Sequence, residues 1–304
     1  MAAVKHLFIV NPVAGDGIAL KMTSLIHKIF LELKQKYPDI SYEIVYTKEE
    51  GHATYLARKY SAKDNYRIYA VGGDGTLNEV LNGMMGSGSA LGCIPGGSGN
   101  DFIRSIVKTF NRKQILMNTI LGQVEEIDVA TIDGRYFINI ASMGFDANVV
   151  LNGQAFKGHK ILPNKFAYLA SVVKTAMEFS NTKLRIVVDE EVIEAEAFMV
   201  AVANGQSYGG GVRIAPEADI KDGLLDVIIV QDITLSKIMR FLPIAIAGKH
   251  LHREEVTLLR GKNVELYAEE PTYVNIDGEI EARREIKISI GNEKVKFIMP
   301  KQTI

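Results

Sequence analysis

Residues 67–80 read RIYAVGGDGTLNEV, an apolar run followed by a glycine loop and the start of an amphipathic segment. Residues 67–71 have the composition of a short buried strand that stops at Gly72, and helical spacing begins near Leu77. A strand, a glycine loop and a helix in this order form one βα unit of a parallel sheet. The stretch therefore predicts an α/β domain around it.

The same alternation continues on both sides of the loop. Further strands are predicted at residues 5–10, 41–47 and 90–94, and helices at 18–37 and 52–60. Strands that alternate with helices indicate a parallel sheet with crossover helices. We place this α/β domain at residues 1–125.

From about Glu126 the pattern changes to short segments of period two. Asp133-Gly134 between two such segments, 126–132 and 136–141, predicts a β-hairpin, and helical stretches are predicted at 166–179 and 236–247. The remaining period-two segments lie at 184–188, 193–202, 225–230, 264–268, 273–276, 286–290 and 295–299. Residues 126–304 are therefore predicted to form an all-β sandwich domain, whose last strand is free to return to the first domain.

The composition limits the classes of function. The chain has 304 residues and a formal net charge of −1, which lacks the basic footprint of a nucleic-acid binder. No apolar run reaches the roughly 20 residues of a transmembrane helix, and the N-terminus lacks the apolar stretch of a signal peptide. The single cysteine, Cys93, fits a reducing compartment. We expect a cytoplasmic protein without a transmembrane segment.

Three glycine loops follow predicted strands of the first domain, at residues 11–15, 72–76 and 95–101. Open α/β sheets bind ligands at the carboxyl ends of their strands. Glycine lets the backbone approach a phosphate, and the N–H groups at a helix start attract the anion. Each loop alone is also compatible with an ordinary tight turn, but three together predict a nucleotide site.

The loops match neither the dinucleotide pattern G-x-G-x-x-G nor the P-loop, and the protein-kinase motifs are absent. Two of them instead contain an acid, Asp74 and Asp101. A carboxylate beside phosphates is unfavourable unless a cation or hydrogen bonds compensate it. The pair therefore predicts Mg²⁺, held directly or through water.

Two Asp-Gly turns in the second domain are the other candidates, Asp222-Gly223 and Asp277-Gly278-Glu279. Asp-Gly is common chemistry for a β-hairpin turn, so a purely structural role is one interpretation. In the functional interpretation, Asp277 or Glu279 takes a proton from a substrate hydroxyl during phosphoryl transfer.

In this order the motifs resemble the bacterial lipid kinases of the diacylglycerol kinase catalytic-domain family, relatives of sphingosine and ceramide kinases. The resemblance spans almost the whole chain. It rests on Asn11-Pro12…Gly15, Thr47…Gly51-His52-Ala53, residues 72–79 (GGDGTLNE), residues 95–102 (PGGSGNDF), Asn139…Gly144-Phe145-Asp146, Asn204-Gly205…Gly209-Gly210-Gly211…Ala215-Pro216, residues 222–225 (DGLL) and Asp277-Gly278-Glu279. It implies a phosphofructokinase- or NAD-kinase-like first domain, a β-sandwich second domain, and ATP in the cleft between them.

The resemblance also implies roles for individual residues. Glu279 is implied as the general base, with Asp277 and Asp74 in its polar network, and Mg²⁺ as bound by Asp219, Asp222 and Leu224. ATP contacts are implied for Asn11, Thr47, Gly72, Gly73, Asp74, Gly75, Thr76, Leu77, Asn78, Ser98, Asn100 and Asp101. Many relatives carry threonine at the position of Ser98, and the hydroxyl is retained here.

The implied acceptor is a lipid hydroxyl reached by peripheral, transient contact with a membrane, with diacylglycerol, giving phosphatidic acid, as the first expectation. The apolar segments 166–179 and 241–246 are candidates for lipid contact, although both also fit helices that cover a core. An NAD kinase-like enzyme and a catalytically silent nucleotide-binding module are the alternatives. The identity of the lipid and the oligomeric state, a homodimer included, are left open.

Overall fold

The computed structural model describes residues 5–149, 175, 181–231 and 233–302. The chain forms two compact units. The first comprises residues 1–129, 209–211 and 292–304, and the second comprises residues 130–208 and 212–291. Within the described residues, no helix is long and apolar enough to cross a membrane.

The first unit is a parallel sheet with helices. In chain order its elements are β1 (Lys5–Val10), α1 (Ile18–Lys36), β2 (Ser41–Tyr46), α2 (His52–Ser61), β3 (Tyr66–Gly72), α3 (Asp74–Met84), β4 (Ala90–Pro95), α4 (Asp101–Arg104), α5 (Arg112–Ile120) and the start of β5 (Gln123–Ile132). The strand order is β2-β1-β3-β4, with all neighbours parallel. Phe297, near the carboxyl end of the chain, pairs with Leu91 of β4.

Helix α1 shows why the helices of this unit pack on the sheet. Its buried residues Met22, Ile26, Ile29 and Phe30 recur at helical spacing and so share one face. They join a core with the fully buried Phe8 of β1. This packing holds the carboxyl ends of β1, β3 and β4 in register at one edge of the sheet.

The second unit is dominated by antiparallel strands. Its elements are the end of β5, then β6 (Arg135–Phe137), β7 (Ile140–Gly144), β8 (Thr182–Val188), β9 (Glu191–Ala203), β10 (Leu225–Gln231), α6 (Leu235–Ile246), β11 (Val256–Gly261), β12 (Asn263–Ile276) and β13 (Glu279–Met299), which continues into the first unit. Strands neighbour one another in the order β11-β10-β9-β7-β12-β13, while β8 pairs with β12 and β9. The predicted combination of an α/β first domain and a β-rich second domain is confirmed.

Several predicted boundaries were wrong. Helix α3 begins at Asp74, not near Leu77, because Gly73 is extended and its carbonyl already accepts the N–H of Leu77 at 3.1 Å. The predicted strand at 136–141 is broken into β6 and β7, because the N–H groups of Ile138 and Asn139 bind a carboxylate instead of a neighbouring strand. The segments predicted at 264–268 and 273–276 are one strand, as are those at 286–290 and 295–299.

Among the described residues, three elements were not predicted, helices α4 and α5 and strand β11. The helix predicted at 236–247 is confirmed as α6. The helix predicted at 166–179 lies outside the described residues, except for Thr175.

Candidate active site

The three glycine loops meet at the carboxyl edge of the parallel sheet. The N–H of Asn11 donates to the carbonyl of Val71 at 3.0 Å, which joins the first loop to the end of β3. The N–H groups of Gly96 and Gly97 both donate to the carbonyl of Gly72, at 2.8 and 2.9 Å. The second and third loops therefore lie side by side.

Glycine is required where the loops touch, because their backbones are in direct contact. A Cβ on Gly97 would lie within 3.0 Å of the backbone of Gly73, and one on Gly15 would lie within 3.0 Å of the carbonyl oxygen of Gly96. A Cβ on Gly75, by contrast, would have no neighbouring atom within 4 Å. The loops thus pack closely through glycine backbone and leave the backbone at Gly75 open to a ligand.

We expect Gly97→Ala to destabilise the first unit by about 1–3 kcal/mol, the usual cost of overpacking, and to abolish nucleotide binding. The added methyl group must push the third loop away from Gly73, which is rigid backbone and not a flexible side chain. Urea unfolding and ATP-binding calorimetry measure the two effects.

Gly291→Ala is the matched control, since this exposed glycine has no atom within 4 Å of an added Cβ and no left-handed backbone. Wild-type ATP affinity in Gly97→Ala would show that the loop contact is irrelevant to binding.

Asp74 and Asp101 hold the second and third loops together. Asp74 Oδ1 accepts the N–H groups of Asp101 at 2.9 Å and Phe102 at 3.1 Å. Burial raises the pKa of Asp74. Burial and the neighbouring Asp74 carboxylate raise the pKa of Asp101 to about 6. Two partly desolvated carboxylates at one loop junction disfavour their own ionisation, as expected for functional carboxylates.

Asp101 also binds a further glycine loop, at residues 209–211. Its Oδ2 accepts the N–H of Gly210 at 2.9 Å, and residues 209–211 belong to the first unit. Its Oδ1 is buried and accepts no hydrogen bond from the described residues; Arg104 Nε lies 4.0 Å away. The carboxylate therefore has one oxygen in the loop network and one left for another partner.

The other predicted nucleotide residues range from buried to exposed. Asn100 is structural, since its side chain accepts the N–H of Gly97 at 2.9 Å and donates to the carbonyl of Gly97 at 2.6 Å. Leu77 is buried in the core. The side chain of Asn11 donates to Thr76 Oγ1 at 3.3 Å, and Ser98 is exposed. Thr47 and Asn78 are buried.

In the second unit, Asp277 anchors the turn between β12 and β13. Asp277 has φ 48° and Gly278 has φ 98°, so both lie in the left-handed region of a tight hairpin turn. The Asp277 carboxylate accepts the N–H groups of Ile138 at 3.1 Å, Asn139 at 3.2 Å and Ile140 at 3.1 Å. Asp277 is thus a positioning residue for the turn that carries Glu279.

Glu279 is paired with Arg135, a residue that sequence reasoning missed. Both carboxylate oxygens accept guanidinium N–H groups at 2.6 Å, and this pairing raises the pKa of Arg135. Both side chains are 42% exposed. Each carboxylate oxygen keeps a second lone pair, so the ion pair orients Glu279 and leaves acceptor sites open to another donor.

A second missed residue is Asp146, which is buried behind this turn. The hydroxyl of Ser142 and the side chain of Asn275 donate to its carboxylate, and burial raises its pKa to about 6. Asn275 in turn accepts the N–H of Gly278 at 2.9 Å. The sequence signal was the motif Gly144-Phe145-Asp146, which is part of the resemblance but carried no predicted role for Asp146.

Asp146 should make the stability of the chain depend on pH. Its pKa is raised from 3.8 to about 6 on folding, so the folded state gains from a proton at low pH and loses that gain as the pH rises from about 4 to about 6. This difference in the pKa of Asp146 between the two states corresponds to about 3 kcal/mol in the free energy of unfolding.

We therefore expect Asp146→Asn to remove this slope, so that the unfolding free energies of variant and wild type draw closer at acid pH. Urea titrations at a series of pH values measure it. An unchanged slope in the variant would assign the pH dependence to other groups.

The predicted magnesium residues form an exposed turn before β10. Asp219 Oδ1 accepts the N–H of Lys221 at 3.1 Å, and Asp222 Oδ1 accepts the N–H of Leu224 at 3.0 Å. The atoms through which these residues could bind a metal are oxygens, which suits a hard cation such as Mg²⁺. Within the described residues, no group of three or more His, Cys, Asp or Glu side chains is arranged to hold a metal.

The structure thus arranges the predicted residues in three groups. In the first unit, the three glycine loops with Asp74 and Asp101 form one cluster. In the second unit, Asp277 and Glu279 share a turn, while Asp219 and Asp222 share another.

Comparisons with known proteins match two family models to successive parts of the chain. Residues 5–132 match the diacylglycerol kinase catalytic domain, and residues 139–299 match the YegS C-terminal NAD kinase beta sandwich-like domain. The diacylglycerol kinase of Mycobacterium tuberculosis (strain ATCC 25618 / H37Rv) is 31% identical over 261 residues, covering 84% of this chain and 82% of the relative. That of Bacillus subtilis (strain 168) is 28% identical over 278 residues, covering 89% and 88%.

A solved structure supports the same relationship. The crystal structure of a "putative diacylglycerol kinase" from Bacillus anthracis str. Sterne superposes with a TM-score of 0.73 at 28% identity. The match covers 97% of this chain and 95% of that one.

Proposed function

This chain belongs to the diacylglycerol kinase catalytic-domain family, and we propose that it transfers the γ-phosphoryl group of ATP to a lipid hydroxyl. Diacylglycerol is the proposed acceptor and phosphatidic acid the product. Kinase activity follows from the family, whereas the donor, the acceptor and the roles of individual residues are our proposal.

The observation that carries the proposal is the meeting of three glycine loops at the start of helix α3. The first N–H groups of a helix have no partner within the helix, and together with the helix dipole they attract anions. Gly75 lies in the first turn of α3 with open space beside it. We assign the ATP phosphates to this helix start and the loops around it.

The proposed base is Glu279. It takes the proton of the acceptor hydroxyl while the hydroxyl oxygen bonds to the γ-phosphorus and the bond from that phosphorus to the bridging oxygen of ADP breaks. Asp277 fixes the turn, and Arg135 orients the carboxylate until the acceptor arrives. Each carboxylate oxygen has a lone pair that Arg135 does not use, and one of these takes the proton.

Mg²⁺ is the metal the family implies, and two sets of residues here offer suitable oxygens. Asp222, with backbone groups at Asp219 and Leu224, forms the set proposed from the resemblance. The buried Oδ1 of Asp101, which accepts no hydrogen bond from the described residues, is a further candidate, directly or through water. A bound magnesium ion would neutralise charge on the phosphates during transfer.

The function is tested by incubating the protein with radiolabelled ATP and a total lipid extract, followed by mass spectrometry of any labelled product. Parallel reactions contain purified diacylglycerol or NAD. Labelled phosphatidic acid supports the proposal. Labelled NADP without labelled lipid would replace it with an NAD kinase, and no transfer at all would indicate a silent nucleotide-binding module.

We further propose that the enzyme is cytoplasmic and meets its lipid by transient, peripheral contact with a membrane. A lipid acceptor with long acyl chains stays in the bilayer, so the protein must approach the membrane surface.

A further inference from the structure

Residues 233–253 form a one-sided basic segment in a chain that is nearly neutral overall. The segment itself contains no Asp or Glu, and Asp232, Glu254 and Glu255 lie directly beyond its two ends, while the whole chain has 35 Lys and Arg against 36 Asp and Glu. Its cations are Lys237, Arg240, Lys249 and Arg253. Helix α6 occupies its first half. A local excess of positive charge of this kind attracts anionic surfaces.

Helix α6 has an inner and an outer side. On the inner side, Ile238 and Ala245 are buried, and Phe241 packs against the core of the second unit. The spacing of these residues, three and four apart, is that of one helical face. The inner side therefore explains why the helix stays on the strands.

The outer side carries exposed apolar and cationic residues that do not pack against the core. Arg240, Pro243, Ile246 and Ala247 are all exposed and lie three or four residues apart, and we call them the outer face of α6. Ile246 is 49% exposed. An exposed isoleucine and proline beside a cation are typical of a helix that lies at a membrane interface.

Two more cations flank the carboxyl end of this face. Gly248, with φ 67°, follows the end of the helix, and the side chain of Arg213 packs beside it, so that Arg213 and the exposed Lys249 lie at the carboxyl end of α6. Among the described residues, Arg213, Arg240 and Lys249 form no ion pair, whereas Lys237 is paired with Glu255 at 3.3 Å. Cations after a helix end also complement its dipole, but that role explains neither Arg240 nor Ile246.

We propose that the outer face of α6, with Arg213 and Lys249, is the surface by which this protein docks on an anionic lipid bilayer. Ile246 and Pro243 enter the boundary between headgroups and acyl chains, and the three cations bind the headgroup phosphates. The proposal rests on the proposed function, because a kinase that acts on bilayer lipids requires such a surface. Each cation near an anionic leaflet contributes about fivefold to binding.

The experiment is co-sedimentation of the full chain with vesicles of phosphatidylcholine, with and without phosphatidylglycerol, in the absence of ATP. The variants are the double substitution Arg240→Gln, Lys249→Gln and the single substitution Ile246→Ser. The matched controls are Lys183→Gln, an exposed cation on β8, and Val192→Ser, whose side chain is 50% exposed. All five positions are exposed, so the variants should fold, which circular dichroism checks.

We expect the wild type to bind vesicles that contain phosphatidylglycerol and to be released by salt. The double substitution should lower that binding by about 25-fold, from about fivefold for each cation. Ile246→Ser should lower it by about fivefold, for the loss of a partly inserted side chain. The controls should bind as the wild type does. Wild-type binding by the double substitution or by Ile246→Ser overturns the proposal.

A second measurement separates this inference from the proposed function. Wild type and variants are assayed with a water-soluble short-chain diacylglycerol and with a long-chain diacylglycerol in vesicles. We expect the variants to match the wild type on the soluble acceptor and to lose activity on vesicles. Wild-type protein that binds vesicles but phosphorylates neither acceptor contradicts the proposed function alone. Variants that match the wild type on both acceptors overturn the docking surface alone.

Discussion

Replacing Glu279 with glutamine is expected to lower the rate of phosphoryl transfer by on the order of a thousandfold while the affinity for ATP stays unchanged. General-base catalysis contributes about 10²–10⁴ to rates, and the amide of glutamine cannot take a proton at neutral pH. Glutamine keeps the size of the side chain and an oxygen that accepts a hydrogen bond from Arg135, so the turn is retained. Steady-state kinetics at saturating ATP and calorimetry of ATP binding measure the two quantities.

Glu281→Gln is the matched control, because Glu281 lies two residues further along β13 and is also paired with an arginine. Its carboxylate is 2.9 Å from Arg283, and its side chain is 43% exposed, against 42% for Glu279. We expect Glu281→Gln to retain wild-type turnover. Comparable losses in both variants would mean that the charge of this strand matters and that Glu279 has no special role.

A third variant distinguishes a base from a structural partner. Arg135→Met leaves the carboxylate of Glu279 in place and removes the ion pair that orients it. If Glu279 is the base, this variant should lose less activity than Glu279→Gln. If instead Glu279 acts by holding Arg135, the two variants should lose activity equally.

The fold of the first unit was predictable because its signals are local. The apolar run at 67–71 and the glycines at 72–75 lie next to each other in the sequence, and the same holds for β4 and its loop. Parallel pairing of β3 and β4 then follows from the alternation with helices. The position of the loops at one edge of the sheet needed no information from distant residues.

The second unit was less predictable because its decisive contacts join distant residues. The carboxylate of Asp277 takes N–H groups from residues 137 to 139 positions away, and Glu279 binds Arg135 from 144 positions away. Nothing in the period-two pattern at 136–141 shows that its N–H groups turn toward a carboxylate. The break between β6 and β7 and the role of Arg135 were missed for this reason.

The boundary of α3 shows how a local rule can also mislead. Gly75 has a low helix propensity, so helical spacing alone starts the helix at Leu77. The structure starts it at Asp74, because Gly73 accepts the N–H of Leu77 and the carboxylate of Asp74 ties this turn to the third loop. The earlier start matters for the site, because it places Gly75 in the first turn of the helix.

Replacing Asp74 with asparagine is expected to separate activity from stability. Asn keeps an oxygen that can accept the N–H groups of Asp101 and Phe102, which Oδ1 of Asp74 now accepts at 2.9 and 3.1 Å. It removes one of two neighbouring carboxylates whose pKa values are raised by burial. At neutral pH the variant should therefore unfold at a urea concentration no lower than the wild type. Activity should fall by on the order of a hundredfold or more, because the loss of this carboxylate weakens the hold on the proposed magnesium ion that neutralises charge on the phosphates.

The carboxylates of Asp74 and Asp101 are close enough for their charges to be unfavourable to each other. If Asp74 only connected two loops, a neutral asparagine would accept the same N–H groups without repelling Asp101, so a charge at this position points to a role in the reaction. Asp64→Asn is the control, an exposed carboxylate of the first unit that is paired with Lys5; it should change neither property. A stable Asp74→Asn variant with wild-type turnover would leave Asp74 as a structural link between α3 and the third loop. A stable variant that binds ATP but transfers phosphate slowly would place its charge in the reaction.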